Sequence, residues 1–248
     1  MKDSIKRIWA LTVRNLKEIV RDPLSLIFMY ALPIAMLILF YLIFSKLTPQ
    51  FEMQYLAPGM IPFANTFITL FLGLLIAVDR SSSFIVRLYT TKIKPYEFIL
   101  SYALALIPVG LSQSAMTLLV AGVMDVSFFG VGMLAALAIS VVPVILNVAL
   151  GIFFGSVLSE KTIGGVASVA TMGQSVLSGM WFPIEGLSEG FINFMNVLPF
   201  RNASTLMRSA FVLSYGFDDF IKPLLILLAY TVVVLTISVF AYGKKMKD

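Results

Sequence analysis

The sequence predicts an all-α integral membrane protein folded as a single transmembrane domain over residues 1–248. Composition is the first observation: 59% of the residues are hydrophobic and only 12% are charged, whereas a soluble domain is about half apolar and about a quarter charged. The second is a mean hydropathy of +0.96, more apolar surface than one core can hide, which makes lipid the solvent. The third is that the apolar residues fall into uncharged runs long enough to cross a bilayer, about 20 residues each.

Residues 1–22 come first. Ile5, Ile8, Trp9, Leu16 and Ile19 recur at helical spacing, with Lys6, Arg7, Arg14, Lys17 and Arg21 on the remaining arc. That pattern predicts an amphipathic helix over 3–21 lying in the membrane interface, Trp9 at headgroup depth and cations toward anionic lipid. A disordered basic leader is the alternative. The segment lacks a continuous apolar core and a small-residue cleavage site, so it does not read as a cleavable signal. At "RDP", Asp22 suits an N-cap and Pro23 a first turn.

Six spans follow in a bundle over 24–243, at 24–45, 57–78, 97–123, 129–158, 162–183 and 223–243. Pro108 and Pro143 are candidate kinks in the third and fourth, and the fourth reads equally as two broken segments. With the N-terminus inside, the inner connections carry 14 of the 18 Lys and Arg, and the outer ones carry Lys46, Arg201, Arg208 and Lys222. This bias predicts that both termini are cytoplasmic.

Two connections look built rather than merely long enough. Residues 79–98, "DRSSSFIVRLYTTKIKPYEF", place Phe84, Ile85 and Leu88 at i, i+1 and i+4, rimmed by Arg80, Arg87, Lys92 and Lys94. A short cytoplasmic helix with that face suits a groove on a soluble partner, or else lies on lipid. Residues 181–211 are too polar for a span and too apolar for an ordinary loop. Phe191, Phe194, Met195 and Leu198 form a helical stripe between Pro183 and Pro199. We expect an outer re-entrant hairpin at 185–199, packed on protein where its joints are non-helical; a surface helix on the outer leaflet is the alternative.

The absent chemistry narrows the function. There are no cysteines and no histidines, which removes disulfides, thiol catalysis and the commonest transition-metal ligands, so no metal site is expected. No phosphate-binding G-x-x-x-x-G-K-[ST] loop occurs, and no ionisable residue sits well inside a span, where a proton antiporter would need one; a sodium site built from carbonyls and hydroxyls stays open. The spans instead carry neutral polarity. Asn65, Thr66, Thr69 and Gly73 lie near one face of span two. Ser168, Thr171, Gln174, Ser175 and Ser178 step along span five among glycines. Such faces line a weakly polar path for an amphipathic solute, or simply pack helices closely.

The ordered set comprises the amphipathic N-terminal helix, "RDP", a cytoplasmic helix after span two, a small-residue span five and an outer hairpin closing in "LPFRNASTLMRSAF". It resembles the permease subunit of type-2 ABC transporters, the ABC-2 family, over essentially the whole chain. The resemblance implies a half-transporter that pairs with a second permease copy and with an ABC ATPase. That ATPase is expected to be a separate chain, which would bind the ATP and magnesium; no cofactor is expected on this one. By position, Ser82, Phe84, Ile85, Arg87 and Leu88 would belong to the coupling helix that contacts the ATPase. Trp9, Arg14, Arg21 and Asp22 would belong to the connecting helix. Asn65, Thr66, Thr69 and the span-five polar residues would line the path. It further implies export of a drug, lipid or peptide, with glycan export or an ATP-independent channel or scaffold as alternatives. Lipid is a partner and nucleic acid is not.

Overall fold

In the computed structural model, residues 2–81, 93–181 and 186–245 are described, and they form helices and turns with no strand. In chain order the helices are α1 Lys2–Val20, α2 Pro23–Phe44, α3 Met53–Ser81, α4 Pro95–Met124, α5 Val131–Ile139, α6 Val141–Val157, α7 Glu160–Leu177, α8 Glu189–Val197, α9 Pro199–Phe211 and α10 Lys222–Lys245. Single turns of tighter or wider helix sit at Pro49–Phe51, Val126–Phe128 and Phe217–Ile221. Residues 82–92, which hold the predicted coupling helix, and 182–185, which reach only the first residue of the hairpin predicted at 185–199, lie outside the described residues.

Among the described residues five helical stretches are long and apolar enough to span a membrane: Pro23–Phe44, Met53–Ser81, Tyr96–Met124, Val131–Val157 and Phe217–Ala241. They match five of the six expected spans. The remaining one, α7, has 18 residues, about 27 Å at 1.5 Å per residue. Its first turn carries Glu160 and Lys161, and Gly, Ser, Thr and Gln dilute the rest. It ends short of the predicted residue 183 because Gly179 takes φ 64°, the left-handed conformation that closes helices.

α3 is the hub. It packs on α2, α4, α6, α7 and α9, and 72% of its most apolar window is buried, against 17% for α2. Its approach to α6 is close because glycine faces it. A Cβ at Gly151 would come within 2.9 Å of Leu72, and one at Gly155 within 2.7 Å of Ile76. Lipid offers no hydrophobic drive between helices, so small residues that bring backbones together supply the dispersion contacts instead.

The fourth span is continuous rather than broken. α5 and α6 meet at Ser140, where the backbone bonds Ser140 N–H to Ala136 O and Val144 N–H to Ser140 O continue the ladder. Pro143 withholds the donor that would reach back toward Ile139, so one ladder bond is missing just after the join. Pro108 leaves α4 a single helix. At the far end of the bundle from α1, Phe40, Phe63 and Trp181 form an aromatic knot with centroids 4.4 and 5.4 Å apart. Gln50 donates there to the carbonyls of Gly179 and Met180.

Candidate functional site

α1 ends where its sequence said it would. Asp22 accepts from the Ser25 backbone N–H at 3.2 Å, Pro23 opens α2, and bonds from Ser25 hold the Asp22 carboxyl below its usual range. Leu11, Thr12, Asn15 and Ile19 face the bundle, while Ile5, Trp9, Leu16 and Val20 are exposed. The expected apolar arc is therefore divided. Ile19 packs on protein, and Trp9 remains on the outward side at 66% exposure.

Between these arcs, α1 presents arginine at positions 7 and 14, two turns apart on one side. Arg14 makes a forked pair with Asp79 in the last turns of α3, at 2.5 and 2.7 Å. Asp79 is 3% exposed and also accepts from the Tyr102 hydroxyl of α4. Arg7 makes a second fork, at 3.0 and 2.7 Å, to Glu97 in the first turn of α4. Glu97 is fully buried and accepts from Ser4 and from the Lys94 backbone N–H. Between the forks, Asn15 donates to Ser101 at 3.2 Å.

Burial works against the charge on Arg14, but the bonds and charge of Asp79 outweigh it and raise the guanidinium above its ordinary value. The hydrogen bonds that Arg7 donates to Glu97 do the same for Arg7. Glu18, which pairs with Arg14 at 2.7 Å, is pushed up by burial despite that neighbour. One step further, Arg80 donates to the Gly155, Ser156 and Leu158 carbonyls at the end of α6, and Ser81 donates to Glu160 of α7. The two roots of the 82–92 segment are thus held by the same amphipathic helix, and the first root is also tied to α6 and α7.

The second assembly is a polar seam between α3, α6 and α7. Thr69 donates to both the backbone and side-chain oxygens of Asn147, at 2.9 and 3.0 Å, and Gln174 reaches the same Asn147 Oδ1 at 3.5 Å. Thr66 bonds back to the Phe63 carbonyl. Asn65 is fully buried with both amide atoms unpartnered. Ser175 accepts from the Trp181 indole, and Ser178 bonds the Ser175 carbonyl.

The structure brings Thr69, Gln174 and Ser175 to the bundle interior but leaves Ser168 exposed and bonded back to Gly164. Thr171 sits between, its hydroxyl buried without a partner. Arg21 is exposed at the end of α1. Sequence reading missed Arg7, Asp79, Glu97, Tyr102 and Asn147. The seven-residue step from Arg7 to Arg14 was the one visible signal, while their carboxylates stand 90 and 65 positions away. Among the described residues no three acidic side chains gather to hold a metal.

A family model described as ABC-2 type transporter matches residues 6–212, which includes both forks and the seam. A search of curated proteins found no match.

Proposed function

The chain belongs to the ABC-2 type transporter family, and from that premise we propose that it is the permease subunit of an ATP-driven exporter. Permeases of this family work with an ABC ATPase, and in this reading a separate ATPase subunit carries the ATP and magnesium. The end of the bundle bearing α1 and the 82–92 segment is cytoplasmic, with both termini. α7 crosses as a sixth span and α8–α9 dip from the outside.

The observation that carries the reading is the double fork on α1. A connection that only reverses the chain needs no staple at either root. One that receives a push from a docked ATPase must pass it on without its ends spreading. The Arg14–Asp79 and Arg7–Glu97 forks deliver force arriving at Phe84, Ile85 and Leu88 to α3 and α4 together. Arg80 extends the link to α6. α3 also carries one wall of the polar seam, so the push and the path meet on one helix.

A second permease copy suits the outer face of α7. Val166, Val169, Met172 and Val176 are 42–75% exposed, and a Cβ at Gly164, Gly165 or Gly173 would meet nothing within 4 Å. Close helix pairing in lipid favours a surface of this kind. A weakly polar seam without mid-depth carboxylates suits an amphipathic solute such as a drug, lipid or peptide.

The test is at the loop. Burying Phe84 and Leu88 in a partner groove is worth about 1.5–3 kcal/mol each. Phe84→Ala with Leu88→Ala should therefore release the ATPase in a pull-down and abolish transport, with membrane insertion unchanged. Full ATPase retention with normal transport would sink the coupling assignment. Cysteines placed at Ser82 and Ser188 in intact cells check the orientation, because an impermeant thiol reagent should reach Ser188→Cys alone.

A further inference from the structure

α9 carries two of the few cations assigned to the outer side. Arg201 and Arg208 are half-buried, and among the described residues no carboxylate pairs with either one. Arg208 lies across Gly59 of α3, its guanidinium 3.0–3.3 Å from where a Cβ would stand, and its Nε donates to the Tyr55 carbonyl at 3.2 Å. Its Nη2 is buried with no partner, as is Nη1 of Arg201. Between them Ser204 is 1% exposed with an unpartnered hydroxyl, although a helical serine can ordinarily bond back to its own helix.

Positions 201, 204 and 208 follow i, i+3, i+7, which is one face of a helix. Three orphaned donors therefore share one stripe about 10 Å long. Burying a guanidinium without an anion is costly. Around this stripe the neighbours are well satisfied. Asn202, on the same helix, donates to the Asn196 and Leu198 carbonyls. Within α9 the deficit is confined to this stripe, and it is a deficit of acceptors.

We propose that Arg201, Ser204 and Arg208 form a recognition site for the phosphate headgroup of an amphipathic solute, held against α3 at Tyr55 and Gly59. Guanidinium forks match tetrahedral oxyanions in geometry and charge, and the serine hydroxyl adds a third donor. The solute's apolar tail would extend along the bundle or into lipid. The site deepens the permease reading and rests on it for the solute's being cargo, while binding itself can be measured without the ATPase.

The experiment uses the purified full-length chain in maltoside micelles at fixed micelle concentration, titrated by thermophoresis. Dodecyl phosphate is the probe, and dodecyltrimethylammonium and inorganic phosphate are the controls. Wild type should bind dodecyl phosphate at least tenfold more tightly than either control. Arg201→Gln and Arg208→Gln should each weaken it about tenfold, and Arg208→Lys should retain part of the affinity. Ser204→Ala, the mildest change, should weaken it about threefold and serves if an arginine variant fails to stay monodisperse. Equal binding of the cationic probe, unchanged affinity in the glutamine variants, or full competition by equimolar inorganic phosphate would overturn the assignment. Pull-down of the ATPase by the same variants reads the permease assignment separately.

Discussion

The two ends of the bundle treat buried charge in opposite ways. At the α1 end, Arg7 and Arg14 each meet a carboxylate that is at most 3% exposed, and each carboxylate takes further donors. At the α9 end, Arg201 and Arg208 meet none among the described residues, and each keeps an orphaned N–H. Both ends use the same side chain on an amphipathic helix packed against α3 or its neighbour. The difference is what completes it. A satisfied fork fixes geometry permanently, as a force-bearing joint requires. An unsatisfied one leaves donors open to an acceptor from outside the chain, which is what the proposed headgroup site would use.

The largest test of that contrast is Arg14→Leu. Removing one partner of a buried pair strands the other, at about 3–5 kcal/mol, so thermal unfolding in detergent should drop sharply. Arg14→Leu combined with Asp79→Leu should recover most of the loss, because the buried carboxylate goes with its partner and the remaining one, Glu18, is 42% exposed and reaches water. If the single variant melts like wild type, the fork is not a joint.

Next comes the backbone seat of α9. A Cβ on Gly132 would lie 2.0 Å from the Phe211 carbonyl oxygen, and backbone cannot swing aside as a side chain can. Gly132→Ala should cost about 1–3 kcal/mol and displace the end of α9. It should therefore weaken dodecyl phosphate binding without touching Arg201 or Ser204. A stable variant with wild-type binding would show that α9 is not held at that crossing.

Asn15→Ala tests the link between the forks at lower stakes. It removes two side-chain bonds, the one Asn15 donates to Ser101 and the one it accepts from Arg14, worth about 1 kcal/mol each, and chemical denaturation should show a stability loss of about 2 kcal/mol. A loss as large as that of Arg14→Leu would mean that Asn15 and the forks act as one unit.

Smallest in stability is Arg208→Met. It forfeits the bond to the Tyr55 carbonyl but removes an uncompensated buried cation, so the two effects oppose each other and the unfolding temperature should barely move. Binding of the phosphate probe should fall all the same. A collapse comparable to that of Arg14→Leu would erase the distinction between the two ends.

What could be read directly from the residues was whatever each segment settles on its own. The spans at α2, α3, α4 and α10 appear within a few residues of the hydropathy boundaries, and Asp22 and Pro23 open α2 as their types require. Each apolar helix satisfies its own backbone in lipid, so its existence is a local property. The neutral polar residues of spans two and five were visible too, but their sorting was not. Ser168 is exposed while Gln174 and Ser175 are buried, because a helix's rotation is set by what it packs on. Two glycines of α6, unremarkable in sequence, decide how closely α3 lies.

By itself, then, the sequence determined a membrane-embedded helical chain, an amphipathic leader, its first cap and its family resemblance. Only the tertiary structure decided that Arg14 belongs to Asp79 and Arg7 to Glu97. It alone decided that Asn147 gathers Thr69 and Gln174, and that α9's arginines are left unmatched. The physical reason is the range over which each term acts. Hydropathy and capping are complete within a turn or a span. Charge pairing and orphaned donors depend on which helices become neighbours, and residues 65 to 90 positions apart meet only when the bundle is assembled.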